Sequence, residues 1–257
     1  MAVVDVPPAP QPDRGPPQLA KQTEAQRRTA RIAGWFFVVT FVTSIPEVFL
    51  YRPLLKHTDY IFGSGNHAGI ATGATLEVLL AVSGIATAVV LYPIVKRQSQ
   101  SISLGYVASR TLESTIIVVG IISVMSVVTL RQDVGGAGAA NPAPLVLTER
   151  ALVAIHDWTF LLGPGFCAGF GNGLLLGFLM YRSGLVPRGM AMLGLIGGPL
   201  IFLSGIAILF GAFKNGSPAA SLLAIPEIAW EASLGIYLIV KGFKPSPILA
   251  AIPAQGE

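Results

Sequence analysis

Six long apolar stretches, at about 32–51, 69–94, 104–130, 157–181, 188–213 and 220–240, constrain this chain more than any other feature. Each reaches the roughly 20 residues that a helix rising about 1.5 Å per residue needs to cross some 30 Å of hydrocarbon. The longest segment between or beside them is the N-terminal 31 residues, too little for a soluble domain. A membrane β-barrel requires alternating segments of about ten residues, and these runs are continuous. Helices satisfy their own backbone hydrogen bonds, which lipid cannot do. The expected fold is therefore all-α: a polytopic bundle of six transmembrane helices over 32–244.

Composition removes the alternatives. Charged residues are 12 % of the chain and hydrophobic ones 53 %, whereas soluble proteins carry roughly 25 % charge. So few charges cannot cover a soluble domain of this size, which excludes a soluble enzyme and a disordered chain. One cysteine, Cys167, excludes an internal disulfide. The net charge of +4 is spread as single and paired basic residues, so no nucleic-acid partner is expected; the partner is the lipid bilayer.

Residues 1–31 hold six prolines within the first seventeen positions and read as an extended, disordered tail rather than a signal peptide. Residues 245–257 read as a flexible C-terminal tail. With the N-terminus inside, the cytoplasmic segments hold eleven Lys and Arg and the outer segments five. That bias predicts a plasma-membrane protein with both termini cytoplasmic, and six spans agree with it. The outer segments 52–68 and 131–156 read as connectors, or as a lid over an outward-facing cavity. Leu145 to Ile155 is expected to form a short helix lying on the membrane surface. Ile45-Pro46-Glu47 and Ile225-Pro226-Glu227 recur at different depths, a faint internal repeat.

Ionisable residues inside the spans carry the chemistry. They are Glu77 in the second span, Arg110 and Glu113 in the third, and Glu227 and Glu231 in the sixth, with Glu47 near the outer end of the first. Each costs at least about 2.5 kcal/mol at mid-membrane, so each is expected to face the interior and to find a partner. Arg110 and Glu113 share a helical face, and so do Glu227 and Glu231. Glu77, Arg110, Glu113, Glu227 and Glu231 are thus expected to converge in one buried polar cluster. Its acids cannot all be ionised beside one guanidinium, so one or two are expected to hold a proton. Two readings stay open. In one the cluster is a clasp that fixes helix register in a non-catalytic structural or partner-binding protein. In the other it is a binding site for a small molecule or a proton in a transporter-like cavity.

Gly165, Gly169, Gly173 and Gly177 repeat every four residues in the fourth span. Small residues let helix backbones approach closely in lipid, so this stripe reads as a packing face toward the glycine-rich fifth span, or as a dimer seam. Proline residues 46, 93, 164, 199 and 226 read as helix kinks. The three histidines, His57, His67 and His156, all lie in or beside outer segments; with Asp59 and Asp157 they read as solvated loop residues or, less favoured for want of a fixed ligand spacing, as groups that meet outside the membrane to hold a metal. No haem, metal or other cofactor is expected, and no nucleophile motif argues for an enzyme.

Several short segments carry a resemblance. They include Ala30-Arg31-Ile32-Ala33-Gly34, Leu50-Tyr51-Arg52-Pro53, Gly73-Ala74-Thr75-Leu76-Glu77 and Leu91-Tyr92-Pro93-Ile94. Ser109-Arg110-Thr111-Leu112-Glu113, Leu185-Val186-Pro187-Arg188 and Val240-Lys241-Gly242-Phe243 follow in the same order. With these the chain resembles an uncharacterised bacterial family, the domain-of-unknown-function 4386 proteins, from about 30 to 244. The resemblance implies a multi-pass membrane protein and brings no activity or functional residue with it.

Overall fold

The computed structural model describes residues 20–56, 60–62, 67–134 and 143–250. Six helices are long and apolar enough to cross a membrane. They are α1 (Glu24–Lys56), α2 (His67–Val95), α3 (Gln100–Val134), a composite fourth span from Ala143 to Ser183, α6 (Arg188–Leu209) and α7 (Pro218–Val240). The fourth span is α4 (Ala143–Phe160), two π-helical stretches (Leu161–Cys167 and Gly169–Leu176) and α5 (Gly177–Ser183). The chain is an integral membrane protein of the all-α class. Apolar side chains cover much of its exterior, as a lipid environment requires: Val42, Phe49, Val82, Ile122, Leu203 and Ile236 are all more than half exposed.

The spans form a ring in chain order. α1 packs on α2, α2 on α3, α3 on the fourth span, the fourth span on α6, α6 on α7, and α7 back on α1. Short connections force consecutive helices to be antiparallel neighbours. The closing contact is made by glycines: a Cβ on Gly34 of α1 would meet the Gly235 carbonyl of α7 at 2.7 Å.

Two apolar layers fill the ring. The layer at the end carrying the termini contains Phe37, Leu91, Tyr106, Leu179, Trp230 and Leu238. The layer at the far end contains Tyr51, Ile70, Ala81, Ile117, Val124 and Val128. Between them α2 offers Ser83, Gly84 and Thr87, and α3 offers Ser109, Arg110, Glu113 and Ser114. A polar layer is thus enclosed by an apolar one on each side.

Three boundaries differ from the sequence expectation. First, α1 begins at Glu24, inside the segment read as tail, because Thr23 and Gln26 form a capping box: Gln26 N–H donates to Thr23 Oγ1 at 3.2 Å, and Thr23 N–H to Gln26 Oε1 at 2.8 Å. Second, Lys244 to Ala250 is not a loose tail. Lys244 N–H donates to the Leu185 carbonyl, Ser246 Oγ to that of Ser183, and Gln26 Nε2 to that of Leu249. Third, Leu145–Ile155 is not a separate short helix. It is part of α4, continuous with the fourth span and packed along α3, where Ser123 Oγ donates to the Leu152 carbonyl at 2.5 Å. The expected disorder of residues 1–19 and 251–257, and the parts of the outer connectors at 57–59, 63–66 and 135–142, lie outside the described residues.

Candidate functional site

The five residues expected to converge fall into two groups, at two levels of α2. Arg110, Glu113, Glu227 and Glu231 belong to the polar layer. Glu77 lies two helical turns further toward the far end. Seven residues separate it from Gly84, the α2 residue against Arg110, or about 10 Å along the axis.

The polar layer is built from α3, the fourth span and α7. Arg110 Nη1 meets Glu113 Oε2 at 2.6 Å, with both side chains buried. Arg110 Nε donates to the Gly84 carbonyl at 3.2 Å. Two more serines hold α3 in place: Ser114 Oγ donates to the Ala81 carbonyl and Ser109 Oγ to that of Cys167. On the opposite side Asn172, fully buried, donates its amide to Glu231. Trp230 Nε1 donates to the Asn172 main-chain carbonyl at 2.9 Å. Glu231 is partly buried and lies within electrostatic range of Arg110 and Glu113.

Glu227 occupies a distinct position. It is 3 % exposed, and neither carboxyl oxygen has a hydrogen-bond partner. The Oδ1 of Asn172 is likewise buried and unpartnered. Glu227 reaches this depth because glycines vacate the crossing of the fourth span and α6. A Cβ on Gly173 would meet Glu227 Oε2 at 2.5 Å, and one on Gly198 would meet the Leu174 nitrogen at 2.8 Å. Gly169, Gly173 and Gly177 all face α6, whereas Gly165 has only Leu161 and Phe160 of its own helix nearby. The π-helical winding between Leu161 and Leu176 changes the azimuth of successive glycines, so a spacing of four does not keep all of them on one stripe.

Glu77 has other company. Tyr51 of α1 donates its hydroxyl to Glu77 Oε2 at 2.9 Å. The Tyr51 ring also meets the His156 ring edge to face, with centroids 5.6 Å apart. Gly73 makes room for the phenol, since a Cβ there would lie 2.7 Å from Tyr51 Cε1. Glu47, Glu77 and His156, from α1, α2 and α4, each bring one ligand atom within 4.8 Å of the others. All three side chains are buried. Both His156 ring nitrogens lack a hydrogen-bond partner, and Nδ1 lies 3.8 Å from the Asp157 carboxylate. Tyr51 does not stand out as a site residue in the sequence, and His156 does so only within the loose set of outer groups weighed for a metal. His156 lies just outside the span expected to begin at 157, so no hydropathy signal marked its place inside the bundle. His57 and Asp59 lie outside the described residues.

Neither a curated protein nor a solved structure matches the chain. A family model described as "Domain of unknown function (DUF4386)" matches residues 32–242, which include α1 from residue 32 onward, every later span and both groups of buried polar residues. The chain belongs to the DUF4386 family of domains of unknown function.

Proposed function

We propose that this protein is a small transporter of permease-like design, which takes up a cation or a proton at the enclosed polar layer. One observation carries this reading. The Glu227 carboxyl and Asn172 Oδ1 are buried acceptors with no partner in the middle of the bundle. A clasp that only fixed helix register would satisfy its own polar groups, because an unmet one in lipid costs several kcal/mol. Here three carboxyls, of Glu113, Glu227 and Glu231, face one guanidinium. The layer therefore holds a surplus of acceptors suited to a positively charged or hydrogen-donating ligand.

The apolar layers on either side give the reading its mechanical content. The Phe37–Trp230 layer separates the polar groups from the end carrying the termini, and the Tyr51–Val128 layer from the far end. An enclosed site between two apolar plugs is what alternating access requires of its occluded state. The excess of Lys and Arg on one side supports a plasma-membrane protein with both termini cytoplasmic.

The second reading, a non-catalytic clasp, rests on the bond from Arg110 to the Gly84 carbonyl, which joins α3 to α2, and on the Asn172–Glu231 bond, which joins the fourth span to α7. Charge displacement in proteoliposomes on a solid-supported membrane separates the two. The probes are H⁺, Na⁺, K⁺ and tetraphenylphosphonium, applied as concentration jumps. The expected result is a current for at least one of them in wild type, lost in Glu227→Gln. Currents no larger than those of protein-free liposomes for all four probes would overturn the transporter reading in favour of the clasp.

A further inference from the structure

We propose that Glu47, Glu77 and His156 form a binding site for one divalent first-row metal ion of the Zn²⁺ type, at the far end of the bundle and separate from the polar layer.

The three residues come from three different helices, and their donor atoms already lie within 4.8 Å of one another. Zinc sits about 2.0–2.2 Å from imidazole nitrogen and carboxylate oxygen, which brings tetrahedral donors to roughly 3.3 Å apart. Side-chain rotation of about an ångström therefore closes the triangle, with no movement of the helices. The donor set matches the ion in charge. Two carboxylates balance a divalent cation, and a neutral imidazole adds a ligand without adding charge. The bound site is then neutral in a medium where net charge is costly. Imidazole with carboxylate suits zinc and its neighbours, while the missing thiolate disfavours Cu(I).

His156 supplies the independent sign of a ligand. Its side chain is 5 % exposed, and both ring nitrogens are buried with no hydrogen-bond partner. A buried imidazole is normally bonded at one nitrogen at least. Here the ring is fixed from one side by the Tyr51 edge contact and has two acidic residues before it. Tyr51 also binds Glu77 Oε2, leaving Oε1 of that carboxyl for an ion. Hydrogen bonds of this kind orient metal-binding carboxylates.

A cleft of about 140 Å³ between the end of α1 and α4 is lined by Leu54, Glu149, Arg150, Val153, Ala154 and Asp157, among others, and by none of the three ligands. Asp157 precedes the site as an exposed carboxylate 3.8 Å from His156 Nδ1, placed to attract a cation before it is bound.

The test uses the full chain, purified in detergent, stripped with a chelator and desalted. Zn²⁺ is titrated calorimetrically, metal content is measured after gel filtration, and Co²⁺ is added to a parallel sample to read its visible ligand-field bands. Wild type is expected to bind one equivalent of Zn²⁺. Glu47→Gln, Glu77→Gln and His156→Gln are each expected to weaken binding more than about a hundredfold, since losing only a residue that orients a ligand costs ten to a hundredfold. His67→Asn, which removes an exposed histidine, is expected to leave binding unchanged. Co²⁺ bands present in wild type and absent in His156→Gln identify the imidazole as a ligand. Should one variant not elute as a folded species, the other two and the Co²⁺ spectrum still decide. The proposal is overturned by the absence of stoichiometric Zn²⁺ binding in wild type, or by binding that survives all three substitutions. Since Glu227 is not in this site, a negative result here leaves the cation currents of the polar layer unaffected.

Discussion

Trp230 donates its indole N–H to the main-chain carbonyl of Asn172 at 2.9 Å, and the side-chain amide of the same asparagine binds Glu231. One residue thus ties α7 to the π-helical part of the fourth span through its backbone and orders a carboxylate through its side chain. The Asn172 carbonyl also accepts the Gly177 N–H, so it is not orphaned when the indole is removed. Trp230→Phe is therefore expected to lose one hydrogen bond and some packing against Gly194, about 1–3 kcal/mol in all. Thermal unfolding in detergent, followed by the fraction that remains monodisperse, reads the loss. An unchanged midpoint would mean that the contact contributes nothing to stability.

The glycines of the fourth span allow an internal comparison. Gly165 has only Leu161 and Phe160 of its own helix within 4 Å, with 3.6 Å to the nearest atom, an ordinary contact distance for a new methyl group. At Gly173 the same methyl would run into Gly198 and into the Glu227 carboxyl. Gly165→Ala is expected to be neutral or to gain up to about 1 kcal/mol from the lower conformational freedom of alanine. Gly173→Ala is expected to lose about 2 kcal/mol or more through overpacking. Equal stability of the two variants would refute the assigned crossing with α6.

The six-span fold was legible because lipid forces a one-dimensional signal on a sequence: continuous apolar runs of sufficient length, punctuated by Lys and Arg. The buried acids were legible for the same reason, as Glu113 or Glu227 stands out in an apolar helix. Their partners were not. Hydropathy fixes how deep a residue lies but not which way a helix is rotated when it is apolar on every side. Span-end arithmetic left Glu77 within reach of a long Arg110 side chain, but that side chain turns to Glu113 and the Gly84 carbonyl, and Glu77, about 10 Å along the axis, meets Tyr51 and His156 instead. His156 was hidden for another reason. Thr148, Glu149, Arg150 and Asp157 dilute the hydropathy of α4, so its packed helix reads as a surface segment.

The Arg110–Glu113 pair offers a test of what holds the polar layer. Removing one partner of a buried ion pair typically costs about 3–5 kcal/mol, because the other charge is stranded. Arg110→Gln alone is expected to lose about that much, including its bond to the Gly84 carbonyl. Arg110→Gln combined with Glu113→Gln removes the charge that the single change strands on Glu113 and is expected to recover more than about 1 kcal/mol relative to the single change. A double variant as unstable as the sum of the two single ones would show that the pair is not coupled. Unfolding midpoints of the four proteins in one detergent complete the cycle.

Tyr51 separates orientation from ligation at the proposed metal site. Its hydroxyl reaches Glu77 and its ring meets His156. Tyr51→Phe keeps the ring, and hence the edge contact, while deleting the hydrogen bond. Glu77 then turns more freely, and ordering it again opposes metal binding. The expected result is a Zn²⁺ affinity lower by about ten- to a hundredfold, still at one equivalent. Stability without metal is expected to fall by only about 1 kcal/mol, the ordinary net worth of such a bond. In the Co²⁺ spectrum the imidazole signature is expected to persist, because the substitution touches no ligand. Affinity equal to wild type would show that the phenol hydroxyl does not orient the carboxylate. Loss of the cobalt bands altogether would make Tyr51 a ligand itself rather than a residue acting through Glu77.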